Sequence, residues 1–226
     1  MKISSILFLL VVLFISTGVI AQKDKKNKSF EGHIFYTVTP QGEVDPSVAT
    51  QLPTEVLVYF KGDQTRMEQK TPMGSAIIIG NSTTKEQVVL IDMMGKKMAL
   101  KSTKEETEKA QAEIPKGTVT VGTETKTIAG FNCKKADFTQ DGKTSSIYVT
   151  DEIDLKNSNW QTQYRDVEGV MLEYMQSAGK DSDINLLISA KEVKKEKVKD
   201  SMFTVPSDYQ QMSMAEFKKM FGGGGE

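Results

Sequence analysis

The chain has 226 residues, of which 38% are hydrophobic and 26% charged, and its formal net charge at pH 7 is −1. A chain of this size can bury a hydrophobic core without disulfides, and the near-zero charge gives no electrostatic basis for nucleic-acid binding. The single cysteine excludes an internal disulfide. One histidine and one cysteine are too few ligands for a typical zinc site, so we expect no metal and no cofactor.

The first 21 residues predict a secretory signal peptide. Lys2 precedes an apolar run over residues 6–15, and Ala21 lies just before a sharply polar segment. The apolar run is shorter than the roughly 20 residues that cross a membrane, so we expect cleavage after Ala21 and a mature chain that does not span the membrane. The protein is therefore expected to be exported, to the periplasm or outside the cell, with residues 22–29 as a disordered, lysine-rich leader.

Residues 30–221 are predicted to form a single β-rich domain. Phe30, Ile34 and Tyr36 alternate with polar residues, as in a half-buried strand. The short turns that follow indicate antiparallel neighbours. Further strands are expected at residues 55–61, 64–70, 75–80, 87–92 and 97–101.

Two short helices are predicted. Thr103 and Glu106 match a capping box, but the polar stretch that they open, to Glu113, can bury little and is expected to be mobile. Ser213 is predicted to cap a second helix that ends at Gly222 and docks on the sheet. Residues 222–226 are expected to be a flexible glycine tail.

The clearest predicted hairpin joins residues 131–140 to residues 143–150. Asp141-Gly142 supplies the positive φ angles that a two-residue primed turn needs. The resulting register leaves Cys133 with the wrong parity for the core, so we expect a bulge near Lys134-Lys135 that returns it there. Cys133 itself is expected to be a buried, structural thiol.

A second hairpin is predicted between residues 170–177 and 184–193. Its strands carry large apolar side chains at both parities, which implies that both faces are covered. The fold class is therefore mainly β. We expect a curved antiparallel sheet or incomplete barrel of about ten strands, with one or two short helices.

Nothing in the sequence predicts an enzyme. No G-x-S-x-G nucleophile elbow occurs, and the acidic side chains of Asp151, Glu152 and Asp154 are typical of a solvated turn rather than of a catalytic pair. The polar run around Trp160 leaves two interpretations for that residue: an exposed contact for another protein, or a local anchor packed on the sheet.

Three phrases resemble a known family. They are Ile-Ala-Gly-Phe-Asn-Cys-Lys-Lys at residues 128–135, Tyr-Val-Thr-Asp-Glu-Ile at 148–153 and Met-Phe-Thr-Val-Pro-Ser-Asp-Tyr at 202–209. Together they resemble a family of exported bacterial proteins known only as a domain of unknown function. That family is similar to the outer-membrane lipoprotein carriers of the LolA and LolB type. The resemblance implies an incomplete antiparallel barrel closed by helices over an apolar cavity, and it implies no catalytic residues.

Two functions remain open from the sequence. The first is a non-enzymatic periplasmic protein that binds a lipid or acyl chain on the concave face of its sheet, because flexible methionine side chains suit varied apolar ligands. The alternative is a cell-envelope interaction module that fills its own core and contacts another protein through its polar edges or Trp160. The expected ligand-lining residues of the first function are Tyr36, Phe60, Met98, Phe138, Met171 and Tyr174.

Overall fold

The computed structural model describes residues 29–71, 74–93, 95–179 and 182–221. The predicted signal peptide, the glycine tail and all but the last residue of the predicted leader lie outside the described residues. Twelve strands and three helices follow one another along these described residues. Their bounds are β1 Glu31–Gln41, α1 Pro46–Ala49, β2 Glu55–Lys61, β3 Gln64–Thr71, β4 Gly74–Asn81, β5 Gln87–Met93, β6 Lys96–Ser102, α2 Lys104–Ala112, β7 Thr118–Ile128, β8 Phe131–Gln140, β9 Lys143–Thr150, β10 Val170–Ser177, β11 Asn185–Lys195, β12 Gln210–Ser213 and α3 Met214–Phe221, with a 3-10 turn at Asp200–Phe203.

All twelve strands belong to one open sheet with the order β12-β6-β5-β4-β3-β2-β1-β11-β10-β9-β8-β7. Every pair is antiparallel except β12 with β6, which is parallel. The mainly β prediction is confirmed, but the expected number of about ten strands is wrong. The two strands that were not predicted are the edges, β7 and β12. β7 is exposed at nearly every position and β12 has only four residues, so neither shows the alternation of buried and exposed residues that marks a half-buried strand.

The sheet is bent by irregular pairing in its second half. Lys191 of β11 is a bulged residue with no partner in β1, between the residues that pair with Phe35 and Tyr36. Leu172 of β10 is likewise a bulged residue with no partner in β9. The pairing of β7 with β8 also shifts, between Val121 and Thr125. Bulges increase twist and bend a strand, which explains how the sheet curls until β7 contacts β11.

The predicted change of parity in β8 is confirmed by burial. Cys133, Ala136 and Phe138 are all buried, so the buried side switches between residues 133 and 136. The extra residues, however, belong to the neighbouring strand β7, while β8 and β9 keep a continuous register through Lys135. The neighbouring strand therefore supplies the irregularity that we expected in β8.

The main core lies on the inner face of the sheet, which we define as the side carrying Ile34, Val58 and Phe138. The segment 151–169 folds across this face, and its apolar side chains complete the core over β1, β2 and β8–β11. The side chains that the segment contributes are Ile153, Leu155, Tyr164 and Val167. This half of the inner face is therefore filled by the chain itself.

A smaller core lies on the outer face, the side carrying His33, Tyr59 and Arg66. The segment 196–209 crosses this face on its way from β11 to β12 and packs Val198 and Phe203 against the outer sides of β4–β6. Arg66 donates from Nη1 to the carbonyl oxygen of Met202 at 2.8 Å, which fixes the crossing segment to β3.

Both predicted helix caps are present. The Thr103 hydroxyl accepts from the amide of Glu106, and the Glu106 carboxylate accepts from the amide of Thr103, so the capping box is complete. Ser213 and Glu216 make the corresponding pair of bonds at α3. Helix α2 also contacts the segment 151–169, because Gln111 donates from Nε2 to the carbonyl oxygen of Trp160 at 2.7 Å.

Candidate ligand-binding surface

Along β3, β4 and β5 as far as Ile91, and along β6 from Met98 onwards, the described side chains on the inner face are all uncharged. Alternation along each strand and the register between strands identify the side chains on this face. Strands β3 and β4 contribute Thr65, Met67, Gln69, Ala76, Ile78 and Gly80. Strands β5 and β6 contribute Gln87, Val89, Ile91, Met98, Leu100 and Ser102. Arg66, Glu68 and Lys97 lie on the outer face of the same strands, whereas Lys96 lies on the inner face, exposed at the start of β6 beyond Met98.

Six of these side chains form what we call the inner apolar patch: Met67, Ala76, Ile78, Val89, Ile91 and Met98. All six are half-buried and so retain part of their apolar surface. Met67 packs against the main core, whereas Ile78, Val89, Ile91 and Met98 are members of neither core cluster. The inner face is thus divided into a filled half over β1 and β8–β11 and a half over β3–β6 that keeps accessible apolar surface.

A polar network closes the patch at one end of the strands. The Thr65 hydroxyl donates to Oε1 of Gln161 at 2.8 Å, and Gln161 donates from Nε2 to Oε1 of Gln87 at 3.2 Å. Gln87 in turn donates to the hydroxyl of Thr107 on α2 at 3.4 Å. Because the buried polar groups bond one another, this end is closed without charges.

The structure separates the six predicted lining residues into two groups. Met98 lies in the inner apolar patch, where it pairs with Ile91 across β5 and β6. The other five are buried in the main core. These five are Tyr36, Phe60, Phe138, Met171 and Tyr174.

The five buried side chains contact groups of their own chain. Tyr36 donates from its hydroxyl to the carbonyl oxygen of Met171 at 3.0 Å, and its ring packs edge-on against Tyr174 with centroids 6.3 Å apart. Tyr164, from the segment 151–169, packs edge-on against Phe138 and Tyr174 with centroids 4.6 and 5.6 Å apart. Burial raises the pKa of Tyr36 and of Tyr174 well above the usual range of tyrosine, so both phenols are neutral at physiological pH.

The sequence reasoning missed Ile78, Val89 and Ile91. Their signal was visible, since β4 and β5 carry apolar residues at both parities in the runs 77–79 and 88–91. The alternate residues Ile77, Ile79 and Leu90 lie on the outer face, in or against the smaller core. A strand with apolar side chains on both faces needs something packed against each face, and the sequence analysis identified neither covering element for β4 and β5.

Trp160 is a buried anchor, so of the two interpretations that the sequence left open, the local anchor is confirmed and the exposed contact is wrong. Its side chain is 4% exposed. The ring lies so close to the backbone of Gly80 that a Cβ atom at position 80 would be 2.7 Å from Cζ2. Lys85 covers the ring, with Nζ 5.0 Å from the centroid. Nε2 of Gln161 would lie closer still to such an atom, so glycine at position 80 makes room for both Trp160 and Gln161 on the sheet.

The remaining reactive groups do not converge. Burial raises the pKa of the Cys133 thiol to about 11, which leaves it protonated at neutral pH. His33 bonds Oε1 of Glu196 through Nδ1 at 2.7 Å on the outer face. Across the described ranges, no three side chains of His, Cys, Asp or Glu come together as a metal site would require.

No helix in the described part of the chain is long and apolar enough to span a membrane.

Comparison with known proteins gives a family and a fold. A family model described as "Domain of unknown function (DUF4412)" matches residues 44–209. A search of curated proteins finds no match. Two solved structures of PNGF-II, in space groups P21 and C2, are similar over 86% of this chain with a TM-score of 0.52 and 17% and 16% sequence identity. This chain spans about a third of their length, 34% and 33%, and the likeness concerns the β-rich fold alone.

Proposed function

The chain belongs to the DUF4412 family, and we propose that this member is an exported, non-enzymatic protein that binds the acyl chain of a lipid on its inner apolar patch. One observation carries the proposal: the inner face is filled over β1 and β8–β11 by the segment 151–169, whereas over β3–β6 it presents six half-buried apolar side chains and no charge among them. The proposal also rests on the resemblance to lipoprotein carriers, whose fold is an incomplete antiparallel barrel closed by helices over an apolar cavity.

The dimensions of the patch suit an acyl chain. Four strands at a spacing of about 4.8 Å extend over roughly 14 Å, and five residues of a strand cover a similar length. Each methylene that leaves water contributes about 0.8 kcal/mol, so an acyl chain can offset the cost of association without a polar contact. A charged headgroup would remain outside the patch, since no side chain of the patch can pair with it.

Binding of a fluorescent fatty acid, cis-parinaric acid, tests the proposal. The variant Ile78→Gln places an amide in the patch and is expected to weaken binding about tenfold or more, because the amide must lose its water when the acyl chain binds. The matched control is Ile77→Gln, which makes the same change one residue away on the outer face of β4. Equal effects of both variants, or no binding by the unmodified protein, would contradict the proposal.

Native mass spectrometry of the protein purified from the periplasm gives an independent test. We expect a fraction of the protein to carry a co-purified lipid. N-terminal sequencing of the same sample tests the proposed export, since cleavage after Ala21 gives a mature chain that begins at Gln22.

The second candidate is a cell-envelope interaction module with no ligand. The observation that favours it is the packing of Tyr36, Phe138 and Tyr174 against side chains of the same chain. A spectrum that shows only lipid-free protein, together with a parinaric acid titration without signal, would favour this candidate over the first.

A further inference from the structure

A concave surface lies at the opposite edge of the sheet from the inner apolar patch. It is a groove of about 510 Å³ beside the edge strand β7, next to the loop 166–169. Its apolar lining consists of Val119, Val121, Ala136, Val149 and Val167. Register places Val119 opposite Phe138 and Val121 opposite Ala136, so both valines are on the inner face.

The two halves of β7 differ in how their edge is protected. In the second half, Glu124 accepts hydrogen bonds from Lys135 at 3.1 Å and from the Tyr148 hydroxyl at 2.8 Å, and Lys126 pairs with Glu173 at 2.7 Å. Charges and a pairing irregularity are devices that discourage another strand from adding to an edge. The second half of β7 has both.

The first half of β7, residues 118–121, has neither device. Its sequence is Thr-Val-Thr-Val, which is uncharged, β-branched throughout and regularly paired with β8. No strand pairs with its other side in the described part of the chain. Val121 is 64% exposed, the largest exposure among the large hydrophobic side chains of the described residues. Such an edge favours the addition of an extended peptide.

The rim of the groove is acidic. Asp151, Asp166 and Glu168 line it together with one cation, Lys134. Lys134 pairs with Asp151 at 3.3 Å. Asp166 and Glu168 have no ion pair in the described part of the chain, so the groove keeps two uncompensated negative charges beside its apolar floor.

We propose that the first half of β7 and this groove bind an extended peptide segment of another protein that contains the pattern apolar-x-basic. The added segment pairs with Thr118–Val121 through its backbone, and every second side chain points over the groove. One such side chain packs against Val119 and Val121, and the next, two residues away, brings a Lys or Arg to Asp166 and Glu168. Charge complementarity thus selects a basic segment over an acidic one.

Fluorescence anisotropy with two labelled peptides tests this proposal. The probe is Thr-Val-Thr-Lys-Thr-Val-Thr-Lys-Thr, and its control has Glu at both Lys positions. We expect the basic peptide to bind about tenfold or more tightly than the acidic one, with a difference that shrinks at high salt. Equal binding of the two peptides would overturn the proposal.

Variants of the protein locate the binding site. Val121→Lys adds a like charge to the groove and is expected to weaken binding of the basic peptide about tenfold, while the double variant Asp166→Asn, Glu168→Gln removes the preference for Lys over Glu. The matched control is Val48→Lys, at the other exposed valine, which is 37% exposed and lies on α1. Val121 is exposed, so its replacement leaves the fold intact, and circular dichroism checks this. Unchanged binding of the basic peptide by the Val121→Lys protein would overturn the proposal. A dimer of the unmodified protein that Val121→Lys dissociates would also overturn it, because the occupant would then be a second copy of this chain.

Discussion

The indole ring of Trp160 packs directly against the backbone of Gly80, with no room between them for a side chain. This contact attaches the segment 151–169 to the end of β4, where the neighbouring Gln161 bonds both Thr65 and Gln87. One glycine on the sheet therefore determines where the covering segment lies.

We expect Gly80→Ala to destabilise the protein by about 1–3 kcal/mol, because the added methyl group must displace the Gln161 amide and the Trp160 ring or shift the strand. Chemical denaturation with urea measures the change. Gly122→Ala is the control, since a Cβ atom there would lie 3.5 Å from the carbonyl oxygen of Lys135, an ordinary contact. Equal losses of stability in the two variants would contradict this account of the Trp160 contact.

Trp160 is the single tryptophan of the chain and reports on the same contact. Because the ring is buried, we expect the native fluorescence to be blue-shifted and poorly quenched by acrylamide. Unfolding in urea should shift the emission to the red and restore quenching. A native emission that matches that of the unfolded chain would show that the ring is exposed.

The thiol of Cys133 should be inert in the folded protein. With its pKa raised to about 11 by burial, the thiolate fraction at pH 8 is about two-hundredfold below that of an unperturbed cysteine, whose pKa is about 8.5. We expect iodoacetamide to label the native protein at least a hundredfold more slowly than the urea-unfolded chain. Comparable labelling rates would contradict the burial of this side chain.

The same pKa shift predicts a loss of stability at alkaline pH. Between about pH 8.5 and pH 11 the unfolded chain loses the thiol proton while the folded protein keeps it, so the unfolded state binds fewer protons and stability falls as pH rises. Comparison of unmodified protein with Cys133→Ala isolates this effect from the tyrosines, which both proteins share. We expect the unmodified protein to lose about 2–3 kcal/mol more than the variant over this range. Parallel pH profiles would contradict the prediction.

Helix α2 should depend on its contact with the Trp160 segment rather than on its own few apolar residues. Loss of one hydrogen bond costs about 1 kcal/mol, so Gln111→Ala should speed amide exchange in α2 about fivefold. Hydrogen exchange with mass spectrometry measures this. Glu108→Ala, on the exposed side of the same helix, is the control and should leave exchange nearly unchanged.

Strand positions were predictable from the sequence where alternation and turn residues agreed. The strands β2, β8 and β9 begin and end at the predicted residues, and Asp141 and Gly142 both have positive φ angles, as a primed turn requires. The strand β7 was missed although Thr-Val-Thr-Val alternates at its start, because the rest of the strand is polar and most of its residues are exposed.

The division of the inner face could not be predicted from local patterns. The apolar residues of the segment 151–169 have no regular spacing, so nothing in the sequence shows that Tyr164 will pack between Phe138 and Tyr174. Without this segment, the aromatic residues of β1, β8 and β10 are natural choices for a ligand surface. Only the tertiary structure shows that a loop covers them and that Met98 lies elsewhere.

The central position of β1 has a kinetic consequence. Strands β1–β6 pair in chain order, as do β7–β11, so both series can form from local hairpins. The two series meet where Ile34 pairs with Val193, which closes a loop of about 160 residues and is correspondingly slow. During synthesis the free edge of β1 therefore waits for β11, about 160 residues further along the chain, and in that interval it is open to chaperones and to other nascent chains.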